Sequence, residues 1–291
     1  MLAVALSLAA AAAFAASAMF IVSVSGRVGP LQLSRWQMGL AFLMTAAIVL
    51  VTGGWRSLDL SMVLWLTASS ASGIMIGALT YIATIQFTGP RISALLFTTA
   101  SPFALALGFG FRGETVSPIQ AAGVGLIVAG IALAVIGPKQ DEGVQIPRPL
   151  WIGISLGLLT SFAQALGSLL ARPAMLAGAD PVAAMAVRSG TGALFFVALL
   201  ALPALRPTAL PSLSSIRQIG LSAVAGMVVG MSFLMAALAV GDVGIVTTLS
   251  STTPILILPM VWAVYHRMPR PLAWMGAALA VVGTALISAT S

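Results

Sequence analysis

The sequence predicts an all-α polytopic membrane protein, ten transmembrane helices in two inverted five-helix repeats, and three observations carry that prediction. Of 291 residues 60% are hydrophobic and only 7% charged, where a soluble domain carries about 25% charge. The apolar residues fall into ten runs, each close to the roughly 20 residues that a helix needs to cross a bilayer. Arginines, glycines and prolines recur at a nearly constant offset between the two halves of the chain.

Thirteen basic and six acidic residues give too little polar surface to face water over a body of this size, so lipid is the main solvent. Ten spans take about 200 positions and leave little for an extramembrane domain. The net charge of +7 does not imply nucleic acid, because the basic residues are dispersed singly among apolar runs. With no cysteine there is no disulfide, thiolate nucleophile or iron–sulfur ligand, and nothing in the sequence calls for a cofactor or a metal.

The first span, 2–25, has no basic residue before its apolar stretch and is too long for a signal core, so it is expected to be retained. The second, 31–52, carries Arg35 near its start, where a long side chain can snorkel to the headgroups. In the third, 61–87, Gly73, Gly77, Thr80 and Thr84 share a helix face with Tyr81 beside it. Glycines at this spacing favour close helix packing. Tyr81 lies well inside the span, away from an aromatic belt, so its hydroxyl needs a partner or a wet cavity. The fourth, 90–111, contains Thr98-Thr99-Ala100-Ser101-Pro102. Its proline removes an amide donor and frees the carbonyl four residues back, that of Thr98. The fifth is 117–137, and a linker, 138–149, follows with the only lysine, Lys139, and the acidic pair Asp141 and Glu142.

The second half repeats the pattern with spans at 150–171, 181–203, 216–240, 244–265 and 271–290. The domains are thus 1–137, the linker 138–149, and 150–291. A shift of 153 superimposes Arg35 on Arg188, Gly39 on Gly192, Gly73 on Gly226, Gly77 on Gly230, Pro118 on Pro271, Gly123 on Gly276 and Gly130 on Gly283. Around the fourth span the shift is 152, which aligns Thr98 to Pro102 with Ser250-Ser251-Thr252-Thr253-Pro254. An odd number of spans per half makes the second copy enter the membrane from the opposite face. Such inverted repeats are a common construction of secondary transporters, with the solute site at the repeat interface near mid-membrane.

The residues left to handle a solute are polar but uncharged. Thr160, Gln164 and Ser168 of the sixth span follow at i, i+4 and i+8 and so share a face. The Gln164 carboxamide offers both donor and acceptor, which suits a zwitterion. Thr80, Tyr81, Thr98, Thr99, Ser101, Gln164, Ser168, Ser250 and Ser251 are the candidate solute contacts. Pro102, Pro254, Gly77, Gly230, Arg35 and Arg188 are the candidate hinge or gating positions, with snorkelling the simpler reading of both arginines. Asp59, Asp141, Glu142 and Asp180 sit in connections, Glu114 and Asp242 at span ends, and His266 at the interface, so no mid-span carboxylate offers itself as a proton carrier.

Nearly the whole chain resembles the EamA-type, ten-helix branch of the drug/metabolite transporter superfamily. The likeness rests on Arg35 and Arg188, the Ser/Thr-Pro cores of the fourth and ninth spans, and Gly113-Glu114 followed by Gln120, Gly123 and Leu126-Ile127-Val128-Ala129-Gly130. Within that branch it looks most like the YddG-type amino-acid exporters. Arg267 stands where the second half of the family carries a Glu.

The resemblance implies export of small metabolites, amino acids first, across a bacterial inner membrane, with both termini cytoplasmic. The partners are then a small-molecule solute and the lipid bilayer. A multidrug exporter is the alternative within transport. An intramembrane enzyme is the alternative from another class, and it lacks the paired carboxylates or nucleophile with base that such chemistry needs. The connections give a conflicting orientation: Arg27, Arg91, Lys139, Arg148, Arg206, Arg217, Arg267 and Arg270 lie on odd-numbered loops, against Arg56, Arg112 and Arg172 on even ones. By the positive-inside rule that bias places the termini outside.

Overall fold

The computed structural model of the chain describes residues 1–24, 27–97, 99–113, 115–135, 149–207, 209–253, 255–256, 259–260 and 271–289. The expected linker, apart from Pro149, and Thr98, Glu114, Pro254, His266 and Arg267 lie outside them. The described residues are helical with no strand, and the chain is an all-α polytopic membrane protein built of two repeats. Among the described residues six helices are long and apolar enough to cross a membrane, and three further apolar helices are shorter.

The first repeat comprises α1 (Leu2–Val24), α2 (Pro30–Thr52), α3 (Leu60–Ser70), α4 (Gly77–Phe97), α5 (Ala100–Arg112) and α6 (Pro118–Val135). The second comprises α7 (Leu150–Leu176), α8 (Pro181–Ala198), α9 (Leu213–Ser222), α10 (Met231–Val240), α11 (Val243–Ser250) and α12 (Pro271–Ala289). Local chemistry sets several ends. Pro30 and Pro181 start their helices at positions where the missing N–H costs nothing. Asp59, Asp180 and Ser212 cap α3, α8 and α9 with side-chain oxygens. Gly53 and Gly113 end α2 and α5 in the left-handed conformation that glycine adopts without penalty.

Among the described residues each repeat contains one π-helical segment, Ala71–Ile76 between α3 and α4, and Ala223–Gly230 between α9 and α10. The 153-residue shift carries the first into the second. A π turn closes i to i+5 and is wider than an α turn, which moves residues off the face that a 3.6 period assigns them. Gly73, Thr80 and Thr84 all contact α7, whereas a Cβ on Gly77 would meet only the Ser72 carbonyl. The shared face expected for these four residues therefore loses Gly77.

The expected third and fourth spans meet inside α4, whose helical bounds run through Phe97. Leu96 and Thr84 both lie against Gly157, though a straight helix would separate residues twelve apart by about 18 Å. The chain thus turns back on itself within α4.

The two repeats interlock. The sixth span, α7, lies along α3, the π segment and α4 of the first half, while α1 lies along α9, the π segment and α10 of the second. Ser69 and Ser222, equivalent under the 153-residue shift, each stand at one junction: Ser69 Oγ donates to Gly167 O at 2.6 Å, and Ser222 O accepts from Ser17 Oγ at 2.9 Å. Gly167 approaches Gly73, and Ser17 approaches Gly226. The central core joins α3, α5, α7, α8 and α10 through Leu66, Leu107, Leu169, Met185 and Met235. Small residues dominate the closest crossings because lipid supplies no hydrophobic force between helices and packing must do so instead.

Candidate functional site

At the seam where α7 meets the first π segment, Gly73 presents bare backbone to two polar side chains. A Cβ on Gly73 would stand 3.4 Å from Gln164 Oε1 and 3.5 Å from Arg188 Nη2. Gln164 is half-buried, and its carboxamide makes no hydrogen bond among the described residues. Ser168, one turn on, is buried and donates to the Gln164 backbone carbonyl at 3.3 Å.

Arg188 corrects the expectation of snorkelling. It is 1% exposed, enclosed because its position, two turns into α8, is covered by α3, the first π segment and α10. Of the five donors of its guanidinium, Nη1 contacts Met235 Sδ at 3.5 Å and Nε is buried with no partner. No acidic residue among the described residues pairs with it. Burying an uncompensated charge costs several kcal/mol. The Arg188 backbone is well satisfied by comparison, its carbonyl accepting from Ser70 Oγ at 2.8 Å and Thr191 Oγ1 at 3.0 Å. Its repeat equivalent Arg35 is half-buried, and Nε donates to Phe196 O at 3.0 Å.

Along the same seam Thr160 Oγ1 donates to Thr80 Oγ1 at 2.8 Å, and Thr80 donates on to Ile76 O at 2.8 Å. Tyr81, beside Thr80, is half-buried with its ring edge-on to Phe97 at 5.8 Å, and its hydroxyl has no hydrogen-bond partner among the described residues. Thr80, Tyr81, Gln164 and Ser168 thus belong to one seam between the halves, with Arg188 behind it.

The hydroxyl-proline segments are placed differently. Thr99 Oγ1 donates to Leu96 O at 2.6 Å, and the same carbonyl accepts from Ser161 Oγ at 2.8 Å. Ser101 is fully buried with Oγ unpartnered, while Pro102 faces outward. In the second half Ser250 Oγ donates to Val246 O and Ser251 Oγ to Thr247 O, each at 2.7 Å. A proline at 254 supplies no amide to Ser250 O, and Thr253 Oγ1 donates to that carbonyl at 3.0 Å. Ser250 and Ser251 therefore spend their protons on their own helix. Gly230 closes the second π segment against the Phe14 ring.

Sequence reasoning missed Gln37. It is buried in α2, and Nε2 donates to Ser222 Oγ at 2.8 Å, which is itself 2.8 Å from Ser17 Oγ. The only signal for it is an amide inside an apolar run. Among the described residues no cluster of His, Asp or Glu is arranged to hold a metal ion.

A solved structure whose title reads "Crystal structure of protein" superposes with a TM-score of 0.83 over 99% of this chain and 96% of its own, at 16% identity. That likeness establishes the fold. The comparison with curated proteins gives no match. The family model of the EamA-like transporter family matches residues 1–136 and again residues 151–289.

Proposed function

As a member of the EamA-like transporter family the chain is a multi-pass membrane transporter of small solutes, and we propose that it exports small metabolites, amino acids first among them, by alternating access. The supporting observation is the unpaired Gln164 carboxamide at the seam between the two halves. Inverted repeats carry their solute site at this interface. A carboxamide with a free donor and acceptor, flanked by the Thr160–Thr80 hydroxyl pair and Tyr81, complements the backbone of an amino acid. Rocking of one half on the other would expose the seam to each side in turn.

Proton carriers in membrane spans are usually embedded carboxylates or histidines. The acidic residues described here, Asp59, Asp180 and Asp242, all precede helix starts. Transport driven by the solute gradient alone is the coupling this favours. The membrane is taken as a bacterial inner membrane with both termini cytoplasmic, and a reporter fused to the C-terminus tests that orientation.

The deciding experiment is counterflow of labelled amino acids in proteoliposomes with and without an imposed pH gradient. Exchange without the gradient is expected, weakened by Gln164→Ala. A strict need for the gradient would overturn the uniport reading, and no exchange of any amino acid would overturn the substrate class.

A further inference from the structure

We propose that Arg188 is the anion-recognition residue of this seam, and that with Gln164 it takes the carboxylate of the transported solute. The proposal rests on the transporter reading above and names a chemistry for its site.

Four observations lead to it. The guanidinium is 1% exposed, and Nε is buried without a partner. Among the described residues the groups placed against it are neutral, Gly73 of the π segment beside Nη2 and Met235 Sδ of α10 at Nη1, while Ser70 of α3 bonds only the Arg188 backbone carbonyl. Gln164, approaching the same glycine from α7, leaves its carboxamide unpaired and half-exposed. Finally, the equivalent residue Arg35 is only half-buried and spends its Nε on a backbone carbonyl, leaving Nη2 unpartnered, whereas Arg188 is fully buried and it is Nε that is left without an acceptor.

A buried cation persists when it is paired and hydrogen-bonded. A carboxylate supplies the charge and accepts two parallel N–H bonds from the guanidinium fork. Gln164 would donate its amide N–H to the same carboxylate or accept from the solute ammonium, since a carboxamide does either. The absence of a side chain at Gly73 leaves open the space that lies beside both groups. In this structure the cation is closed over, and the half-exposed Gln164 marks the side from which a solute arrives when α7 and the π segment part.

The test is thermal stabilisation of the purified full-length protein by a matched panel. For apolar, polar and acidic amino acids, each is compared with the corresponding amine lacking the carboxylate and the corresponding acid lacking the amine, at constant chloride. The acids and amino acids are expected to raise the melting temperature and the amines to leave it unchanged. Arg188→Gln is expected to weaken carboxylate binding at least about 10-fold, the scale of a lost hydrogen bond to a charged group, with Arg188→Lys intermediate. Gly73→Ala, whose methyl would meet its neighbours at ordinary contact distances, keeps the charge and is expected to weaken carboxylate binding by intruding between the two groups. It carries the test should Arg188→Gln fail to fold.

Amines binding as well as acids, carboxylate binding undiminished in Arg188→Gln or in Gly73→Ala, no response to any acid in the panel, or a chloride titration that reproduces the whole shift would each overturn the proposal. Binding of plain acids but of no amino acid would uphold the carboxylate site and overturn the amino-acid reading. Equal binding of amino acids and amines would do the reverse.

Discussion

Gly130 packs so closely on Gly276 that a Cβ on the first would stand 2.5 Å from the carbonyl oxygen of the second. The repeat makes the relationship reciprocal. A Cβ on Gly283, the equivalent of Gly130, would stand 2.5 Å from the carbonyl oxygen of Gly123, the equivalent of Gly276. Equivalent residues of α6 and α12 thus exchange contacts about a local two-fold axis, as inverted repeats require. Backbone oxygen cannot yield as a side chain can, so Gly130→Ala and Gly283→Ala should each destabilise by about 1–3 kcal/mol. Melting of the two purified variants should give similar losses. A loss at one position only would show that the reciprocity has no energetic meaning.

Gly167 tests the crossing of α7 over the first π segment. A Cβ there would meet Gly73 Cα and N at 2.9 Å and Ser69 O at 3.1 Å. Gly167→Ala should therefore separate the helices, lengthen the Ser69–Gly167 hydrogen bond and lower stability by about 1–3 kcal/mol. Because Gly73 also underlies Gln164 and Arg188, solute affinity should fall as well. A stability loss with unchanged affinity would detach the seam from the solute site.

The Ser17–Ser222–Gln37 network crosses three helices, and Ser222 is its centre. Ser222→Ala removes the hydroxyl that accepts from buried Gln37, while Ser17 keeps the Ser222 carbonyl as its acceptor. Interhelical hydrogen bonds in membranes average about 0.6 kcal/mol, and leaving a buried amide unpaired adds about 1 kcal/mol. The variant should melt earlier but transport with unchanged affinity. Gln37→Leu on the Ser222→Ala background should recover part of the loss, and additive losses would reject the coupling.

Tyr81 and Gln164 lie on the same seam yet differ in what their removal should do. Tyr81→Phe keeps the edge-on contact with Phe97 and deletes only a hydroxyl with no protein partner, so stability should be unchanged. A hydrogen bond to solute, if that hydroxyl makes one, is worth about 0.5–1.5 kcal/mol, roughly a 2- to 10-fold change in affinity. Counterflow affinity of the variant checks this, and an unchanged value takes Tyr81 out of the site.

The repeat was legible because arginines, glycines and prolines mark fixed places where a backbone must approach closely or lose a bond, and such marks survive when the apolar filler drifts. The tolerance of Ser250 O for Pro254 was legible for the same reason, since hydroxyls next to a proline can replace the missing amide. Arg188 was not. Its place near the start of an apolar run matches that of Arg35, and only the neighbours packed over it distinguish a buried cation from an interfacial one. Gln37 was obscure because its partner, Ser222, is 185 residues away. The π segments were obscure because they are a hydrogen-bonding pattern, and an apolar run reads alike at either pitch.

Those π segments make the remaining prediction. A π turn behaves as one extra residue in a helix, less well bonded than its surroundings and frequently kept at functional sites. Ile76 in the first segment and Val229 in the second are equivalent under the 153-residue shift, and both are exposed. Deleting either removes little packing and lets the segment return to α geometry. If the wider turns serve only to accommodate an extra residue, each deletion should transport normally. If they are the places where the third and eighth spans bend as the halves rock, the deletion proteins should insert, melt at or above the temperature of the parent, bind solute and fail to exchange it. Binding and counterflow measured on the same preparation separate these outcomes. Exchange at the parent rate in both deletion variants would remove the π segments from the transport cycle.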